Sequence, residues 1–286
     1  MAPFKSVAVA GKGQLGNFVV SELVNAGFQV TILTRSSSKL EDVPAGVNAA
    51  EVDYDSVSSI ADALRGHDVL IATLAMDAIS VQYNLLNAAI EAGVKRFIPS
   101  EYSGITLHPT TASLPPLAPV MDVQKAVKLA AEEGKIEYTI IAPGGFLNLM
   151  FNQPILLDWE HHVVYLYDGG DSKVSVSRLS TIAKAIRAVL EKGDEYKNKT
   201  VKVHDGTVTQ RQLLAIAREE QPGVAWNETF VDVDAMVEDA LKKLAEGQGT
   251  PEIVGGMMVG KSMSKVEPLA WSENELENAR LGLRVN

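Results

Sequence analysis

The sequence predicts an α/β fold built on a doubly wound parallel sheet. Two observations carry this. Short apolar runs alternate with amphipathic segments six times through residue 142, the rhythm of parallel strands joined by helical crossovers. A glycine-rich turn also joins the first apolar run to the first amphipathic segment, in the stretch SVAVAGKGQLGNFVVSELVNAGFQVTILTR from Ser6 to Arg35.

Within that stretch Gly11, Gly13 and Gly16 stand at G-x-G-x-x-G spacing. Val7 and Val9 lead into the turn, and Leu15, Val19, Leu23 and Val24 follow it at helical spacing. In a strand-turn-helix unit the first glycine permits the turn, the second lets the backbone approach a pyrophosphate, and the third lets helix and strand pack closely. The phosphates then rest on a helix N-terminus, where unpaired N–H groups favour anions. Gly11, Lys12, Gly13, Gln14, Leu15 and Gly16 are therefore the expected dinucleotide cradle, and the fold is of the Rossmann type.

Gln29–Leu33 is the second strand, and Arg35 follows it. An acidic residue at this point would bind the adenosine ribose hydroxyls, whereas an arginine accommodates a 2′-phosphate. Thr34 and Arg35, with Ser37 and Lys39 as helpers, are expected to select NADP over NAD. Residues 46–52 form a third strand, and Asp53 at its end either contacts the adenine or caps the helix after it. Residues 58–64 are a helix and residues 68–74 an apolar fourth strand, so Thr73 and Leu74 are expected beside the cofactor.

A helix over residues 79–92 ends at Gly93, and residues 95–99 give the fifth strand, followed by the polar cluster PSEYSG. The next stretch, LHPTTASLPPLAP, holds four prolines, which forbid a helix and predict an ordered loop, either a lid folding over a pocket or a plain connector. Residues 121–133 return to a helical pattern, and residues 136–142 form the sixth strand. Beyond residue 150 the rhythm breaks. Trp159, His161, His162, Tyr165 and Tyr167 fall in a mixed segment. A helix over residues 181–191, capped by Ser180 or Thr181, a strand over 200–204 that rejoins the sheet, and helices over 209–220 and 233–245 complete the pattern. The expected organisation is a dinucleotide-binding domain over residues 1–155 and a smaller substrate-binding region over residues 156–286.

Composition excludes several classes. A net charge of −10 leaves no basic surface for nucleic acid or an anionic membrane. The absence of cysteine rules out disulfides and thiolate metal sites. Adjacent His161 and His162, read as strand residues, would point to opposite faces and could not share a metal; no metal site is expected. The chain begins without a leader-like segment, and a cytoplasmic monomer or homodimer acting on a small molecule is the expectation.

The turn GKGQLG, the TR pair after the second strand, RFIPSEYSG at 96–104, Lys125 and EYTIIAPGGFLNLMF at 137–151 together resemble the NmrA-like and isoflavone-reductase-like atypical short-chain dehydrogenases/reductases. The likeness covers roughly the first 155 residues. Lys12 departs from it, since relatives commonly carry threonine there. The resemblance implies an NADPH-dependent oxidoreductase of secondary metabolism, acting on a small, often aromatic substrate. It implies Lys125 as proton relay and electrostatic stabiliser beside the cofactor, with Lys128 as the alternative. Met76, Tyr102, Phe146, Met150 and Trp159 are the expected substrate walls. Two other readings stay open at this point: an NADP(H)-sensing regulatory protein without turnover, and an NADPH-assisted non-redox rearrangement or cyclisation.

Overall fold

Alternation along the central strands decides the architecture. In the computed structural model, which describes residues 4–36, 43–152, 156–266 and 268–284, β1 (Ser6–Ala10) sends Val7 and Val9 into one core and Ala8 and Ala10 into another. This period of two is what a strand buried on both faces requires. Helix α1 (Gln14–Asn25) follows, then β2 (Gln29–Thr34), β3 (Asn48–Glu51), α2 (Val57–Leu64), β4 (Val69–Ala72), α3 (Val81–Ala92) and β5 (Arg96–Ile98). In β2 and β4 the same division holds, with Val30, Ile32, Val69 and Ile71 facing one core and Leu33, Leu70 and Ala72 the other.

The expectation that the prolines forbid a helix is corrected. A 3-10 turn at Ile105–Leu107 leads to α4 (Pro109–Ala112), a second 3-10 turn at Pro115–Leu117, and α5 (Ala118–Glu132). Pro109, Pro115 and Pro119 each stand in the first turn of a helical segment, where the missing N–H would have no intrahelical partner anyway. Proline marks the starts here and breaks nothing.

After β6 (Glu137–Ala142) come β7 (Gly145–Phe146), α6 (Leu147–Asn152), β8 (Leu157–Asp158), β9 (Val163–Tyr167) and β10 (Val174–Ser177). Then α7 (Leu179–Lys192) lies along α1 on the first core face, tied to it by Arg187–Glu22 at 2.9 Å. β11 (Lys199–Lys202) pairs parallel with β6, rejoining the sheet as the sequence indicated. β12 (Gly206–Val208), α8 (Gln210–Glu220), β13 (Asn227–Val231), α9 (Val233–Ala245) and α10 (Pro251–Ser262) follow. The strands assemble into a seven-stranded parallel sheet of order β11-β6-β5-β4-β1-β2-β3 and two three-stranded sheets, β12-β10-β7 and β13-β9-β8. A third core, including Leu166, Val174, Leu213, Trp226 and Met257, fills the carboxyl-terminal half and reaches back to Ile105 and Leu117.

Two local expectations are corrected. Neither Ser180 nor Thr181 caps α7: it starts at Leu179, two residues earlier, with Arg178 as cap and no side-chain bond. The Thr181 hydroxyl instead donates to Asp205 at 2.9 Å. His161 and His162 lie in the turn between β8 and β9 rather than on a strand, and His161 bonds Asp158 at 2.9 Å.

A buried cation holds the sheet to the returning chain. Arg96 is fully buried; it donates to Glu137 Oε2 at 2.7 and 3.2 Å and to the Gly193 carbonyl at 2.7 Å. Burial alone would raise the Glu137 pKa, but hydrogen bonds and charge from Lys197 and Arg96 outweigh it and hold this carboxyl below its usual range.

Candidate functional site

The sheet order reverses between β1 and β4. From β1 the chain runs outward through β2 and β3, and from β4 it runs the other way through β5 and β6. The crevice outside the carboxyl ends of these two strands is where an open parallel sheet takes a ligand. Both flanks of that crevice hold residues singled out above: the glycine turn after β1, and Thr73 and Leu74 after β4.

The glycine turn is shaped by contacts. Gly11 has φ +104°, and a Cβ there would lie 2.7 Å from the Thr73 carbonyl oxygen. At Gly16 a Cβ would lie 2.3 Å from the Gly11 carbonyl oxygen. A Cβ on Gly13 would meet nothing within 4 Å, so this glycine leaves room over the helix start instead of permitting internal packing. Thr73 clamps the turn, its hydroxyl donating to the Gly11 carbonyl at 2.7 Å.

Helix α1 begins at this turn with Gly13 as cap, no side-chain cap and no acidic residue in its first turn. Glycine in place of a capping side chain costs only about a few tenths of a kcal/mol. Burial of Leu15, Val19, Val20 and Leu23 offsets that several times over, at about 1.5–3 kcal/mol each. Core packing thus sustains a helix whose first N–H groups face outward, which suits a pyrophosphate. The Leu15 side chain belongs to the core, so only its backbone can serve a ligand. Gln14 is exposed and Lys12 partly so.

At the end of β2, Arg35 is exposed, and among the described residues no carboxylate pairs with it. The Thr34 hydroxyl bonds locally to Ser36, as donor to its carbonyl at 3.0 Å and acceptor from its N–H at 3.2 Å. Ser37 and Lys39 lie outside the described residues. Asp53 does not cap α2; Ser56 does, accepting from the Ser59 N–H at 3.2 Å. The Asp53 carboxylate accepts from the Asp55 N–H at 3.0 Å and stays exposed.

Tyr54 was legible only as the residue between two acids. Its hydroxyl donates to the Leu33 carbonyl at 2.9 Å, and burial pushes its pKa up to about 12 against the pull of the Arg35 charge. An aromatic residue just past the third strand, backing the arginine that ends the second, is the signal that finds it.

After β4, Leu74 is held by one side chain. Ser100 Oγ accepts from the Leu74 N–H at 3.0 Å and donates to its carbonyl at 2.8 Å, and the Ser100 N–H donates to buried Gln82 at 2.6 Å. Met76, just beyond, is 49 % exposed. Tyr102 is buried, and its hydroxyl donates to the Ala72 carbonyl at 2.9 Å; burial raises its pKa. Phe146 packs at the edge of the first core, and Met150 lies in the third, against Gly145. Trp159 stands edge-on to Trp226 with ring centroids 5.2 Å apart. Lys125 lies midway along α5, exposed, and Lys128 is partly buried one turn on.

Among the described residues no group of three or more His, Asp or Glu side chains is placed to hold a metal ion, and no helix is long and apolar enough to cross a membrane.

Residues 10–193 match a family model described as NAD(P)H-binding. The oxidoreductase aprR of Aspergillus flavus is 29 % identical over 248 residues, spanning 85 % of this chain and 82 % of its own. The isoflavone reductase homolog IRL of Zea mays is 26 % identical over 249 residues, spanning 82 % and 79 %. The NADPH-dependent quinone oxidoreductase QOR2 of Escherichia coli, solved with NADPH, superposes with a TM-score of 0.74 at 21 % identity, covering 98 % of this chain and 96 % of that one.

Proposed function

This chain belongs to the NAD(P)H-binding family, on its NmrA-like and isoflavone-reductase-like branch, and from that premise we infer that it reduces a small aromatic or secondary-metabolite-like substrate with NADPH. It is an NADPH-dependent oxidoreductase. The observation that carries the reading is the crevice between β1 and β4. There an uncapped helix start, open space over Gly13 and an exposed Arg35 border the crevice in which an open parallel sheet takes a dinucleotide.

NADPH, when bound, supplies the hydride. The first N–H groups of α1 hold its pyrophosphate, and the Arg35 guanidinium holds the 2′-phosphate, with Thr34, Asp53 and the local hydroxyls around the adenosine. Thr73 keeps the glycine turn in shape, and Ser100 fixes the Leu74 backbone beside it. Lys125 contributes a cation next to the substrate atom that gains negative charge and delivers a proton to it, directly or through water. Met76, Phe146 and Met150 supply apolar walls, with Tyr102 and Trp159 behind them. Residues 156–286 form the substrate-binding region.

The test is turnover. NADPH oxidation is followed across a panel of carbonyls, enones, quinones and phenylpropanoid ethers, for the native chain and Lys125→Ala. Consumption by the native chain, reduced about 100-fold or more in the variant at unchanged NADPH affinity, supports the reading. Tight binding with no consumption across the panel would replace it with a cofactor-sensing regulator. Product without net oxidation would point to a non-redox rearrangement.

A further inference from the structure

Gln82 is a buried amide on α3 to which the chemistry above gives no role. It is 1 % exposed, and the other buried residues of the helix, Leu85, Leu86, Ala88 and Ala89, are apolar. Its Oε1 accepts from the Ser100 N–H at 2.6 Å. Its Nε2 is buried as well and meets no acceptor among the described residues. Turning the amide over would not relieve this, since an NH2 group would then face the Ser100 N–H. An unpaired buried donor lowers stability, and a leucine or methionine would fill the same space without one. Packing therefore does not account for this residue; the acceptor it offers to Ser100 does.

Ser100 stands where the pairing of β4 with β5 has given out. The register of the two strands ends at Ile71 and Ile98, yet the main chain of Leu74 is still bonded twice. Ser100 Oγ accepts from its N–H at 3.0 Å and donates to its carbonyl at 2.8 Å, so one side chain does what a strand partner would do. From the other flank, the Thr73 N–H donates to the Ala10 carbonyl at 2.8 Å and its hydroxyl to the Gly11 carbonyl at 2.7 Å. Thr73 and Leu74 are thus gripped between the glycine turn and the loop after β5. Gln82 is the anchor on the second side: Gln82 to Ser100 to Leu74.

We propose that Gln82 is a positioning residue of the cofactor site, fixing Ser100 and through it the Leu74 main chain on the side of the crevice that takes the nicotinamide half of NADPH. This rests on the reading of Arg35 and the glycine turn given above. Arg35 follows β2, the glycine turn follows β1, and β4 neighbours β1 on the side away from β2. A dinucleotide with its 2′-phosphate at Arg35 and its pyrophosphate at the turn carries its nicotinamide half past β4. Gln82→Leu removes the acceptor and the unpaired donor together. Ser100→Ala cuts the chain at the next link without touching α3.

The experiment is isothermal titration with NADPH and with 2′,5′-ADP, a fragment that carries the 2′-phosphate but no nicotinamide. In Gln82→Leu and in Ser100→Ala the NADPH Kd should rise about tenfold while the 2′,5′-ADP Kd changes by less than about twofold, because ångström-scale misplacement acts only on the half that Leu74 touches. The double variant should lose no more than the worse single one, as two residues of one network do. Gly93→Ala, at the far end of the same helix, should leave both constants unchanged. NADPH affinity kept in Gln82→Leu would overturn the positioning role and leave the cofactor site standing. Equal losses for the two ligands would also overturn it, by reducing Gln82 to support for the fold, and additive losses in the double variant would break the link to Ser100. A native chain that binds neither ligand would remove the cofactor from this crevice, and the reading above would fall with this one.

Discussion

The indole of Trp271 occupies the space that a side chain on Gly104 would need: an added Cβ would lie 2.5 and 2.9 Å from two of its ring carbons. The ring is held there by its Nε1–H, which donates to the Ala142 carbonyl at 3.1 Å. Gly104 also has φ +76°. Gly104→Ala should therefore cost about 3 kcal/mol, combining backbone strain and overpacking. Gly93, the cap of α3, has φ +75° but open space around it, so Gly93→Ala should cost only about 1 kcal/mol. Urea unfolding of the two variants measures the difference, and equal losses would mean that the indole yields.

Arg35→Ala should weaken NADPH binding about tenfold or more while leaving NADH binding nearly unchanged, because an arginine at this position contacts only the 2′-phosphate. Isothermal titration with both cofactors checks it. Equal losses would move the arginine to the part of the cofactor that the two share.

His204 gives the fold an acid-sensitive point. Burial holds its pKa below the usual imidazole value, although the Asp205 charge pulls the other way. Its Nδ1 lies 2.9 Å from Ser175 Oγ, which also accepts from the Trp271 N–H at 2.9 Å. The folded state thus binds the proton less readily than the unfolded chain. Stability is complete above about pH 6.5 and falls as the pH drops from there through the lower folded value. The depressed carboxyls of Asp68, Glu137 and Asp205 act only further down, below about pH 4. His204→Gln should therefore flatten the change in Tm between about pH 7.5 and pH 5.5 by about 2 °C. Parallel curves for the two proteins would count against it.

The Arg96–Glu137 pair should respond asymmetrically. Glu137 is partly exposed and keeps Lys197 at 2.9 Å if Arg96 is lost. Arg96 is sealed, and without Glu137 it keeps, among the described residues, only the Gly193 carbonyl and the face of Phe4, 4.9 Å away. Glu137→Ala should cost about 3–5 kcal/mol, as stranding a buried charge does. Arg96→Met should cost distinctly less, because nothing charged is left without a partner. Chemical denaturation of both variants decides the order.

How far the sequence carries depends on element length and on where the partner lies. The first strand-turn-helix-strand unit is legible because its apolar period and its glycines are local. Val233–Ala245 is legible for the same reason, and the returning strand needed only an apolar run after a helix. By contrast β7 and β8 are two residues each, too short for a period to show. Helix α10 carries Pro251 and three glycines, which read as turns. Its Gly260 lies against Met236 and Tyr167, contacts that exist only after folding. In the candidate site, the placement of Arg35 after β2 and of the glycine turn beside the crevice could be read from position. The clamp of Ser100 on Leu74 could not, since it joins positions 26 residues apart, and the motif PSEYSG drew the eye to its tyrosine.

The bond from Arg96 to the Gly193 carbonyl spans 97 residues, and that distance sets a schedule for the chain as it is made. When β5 leaves the ribosome its guanidinium has no acceptor to close on, and β6 has no neighbour on its outer edge. At roughly 5–20 residues per second, the missing carbonyl arrives about 5–20 s later. Until β6 brings Glu137 the cation has no partner, and until β11 follows Gly193 the outer edge of β6 stays open to other strands; the last strand of the parallel sheet to be made is also the one that closes that edge.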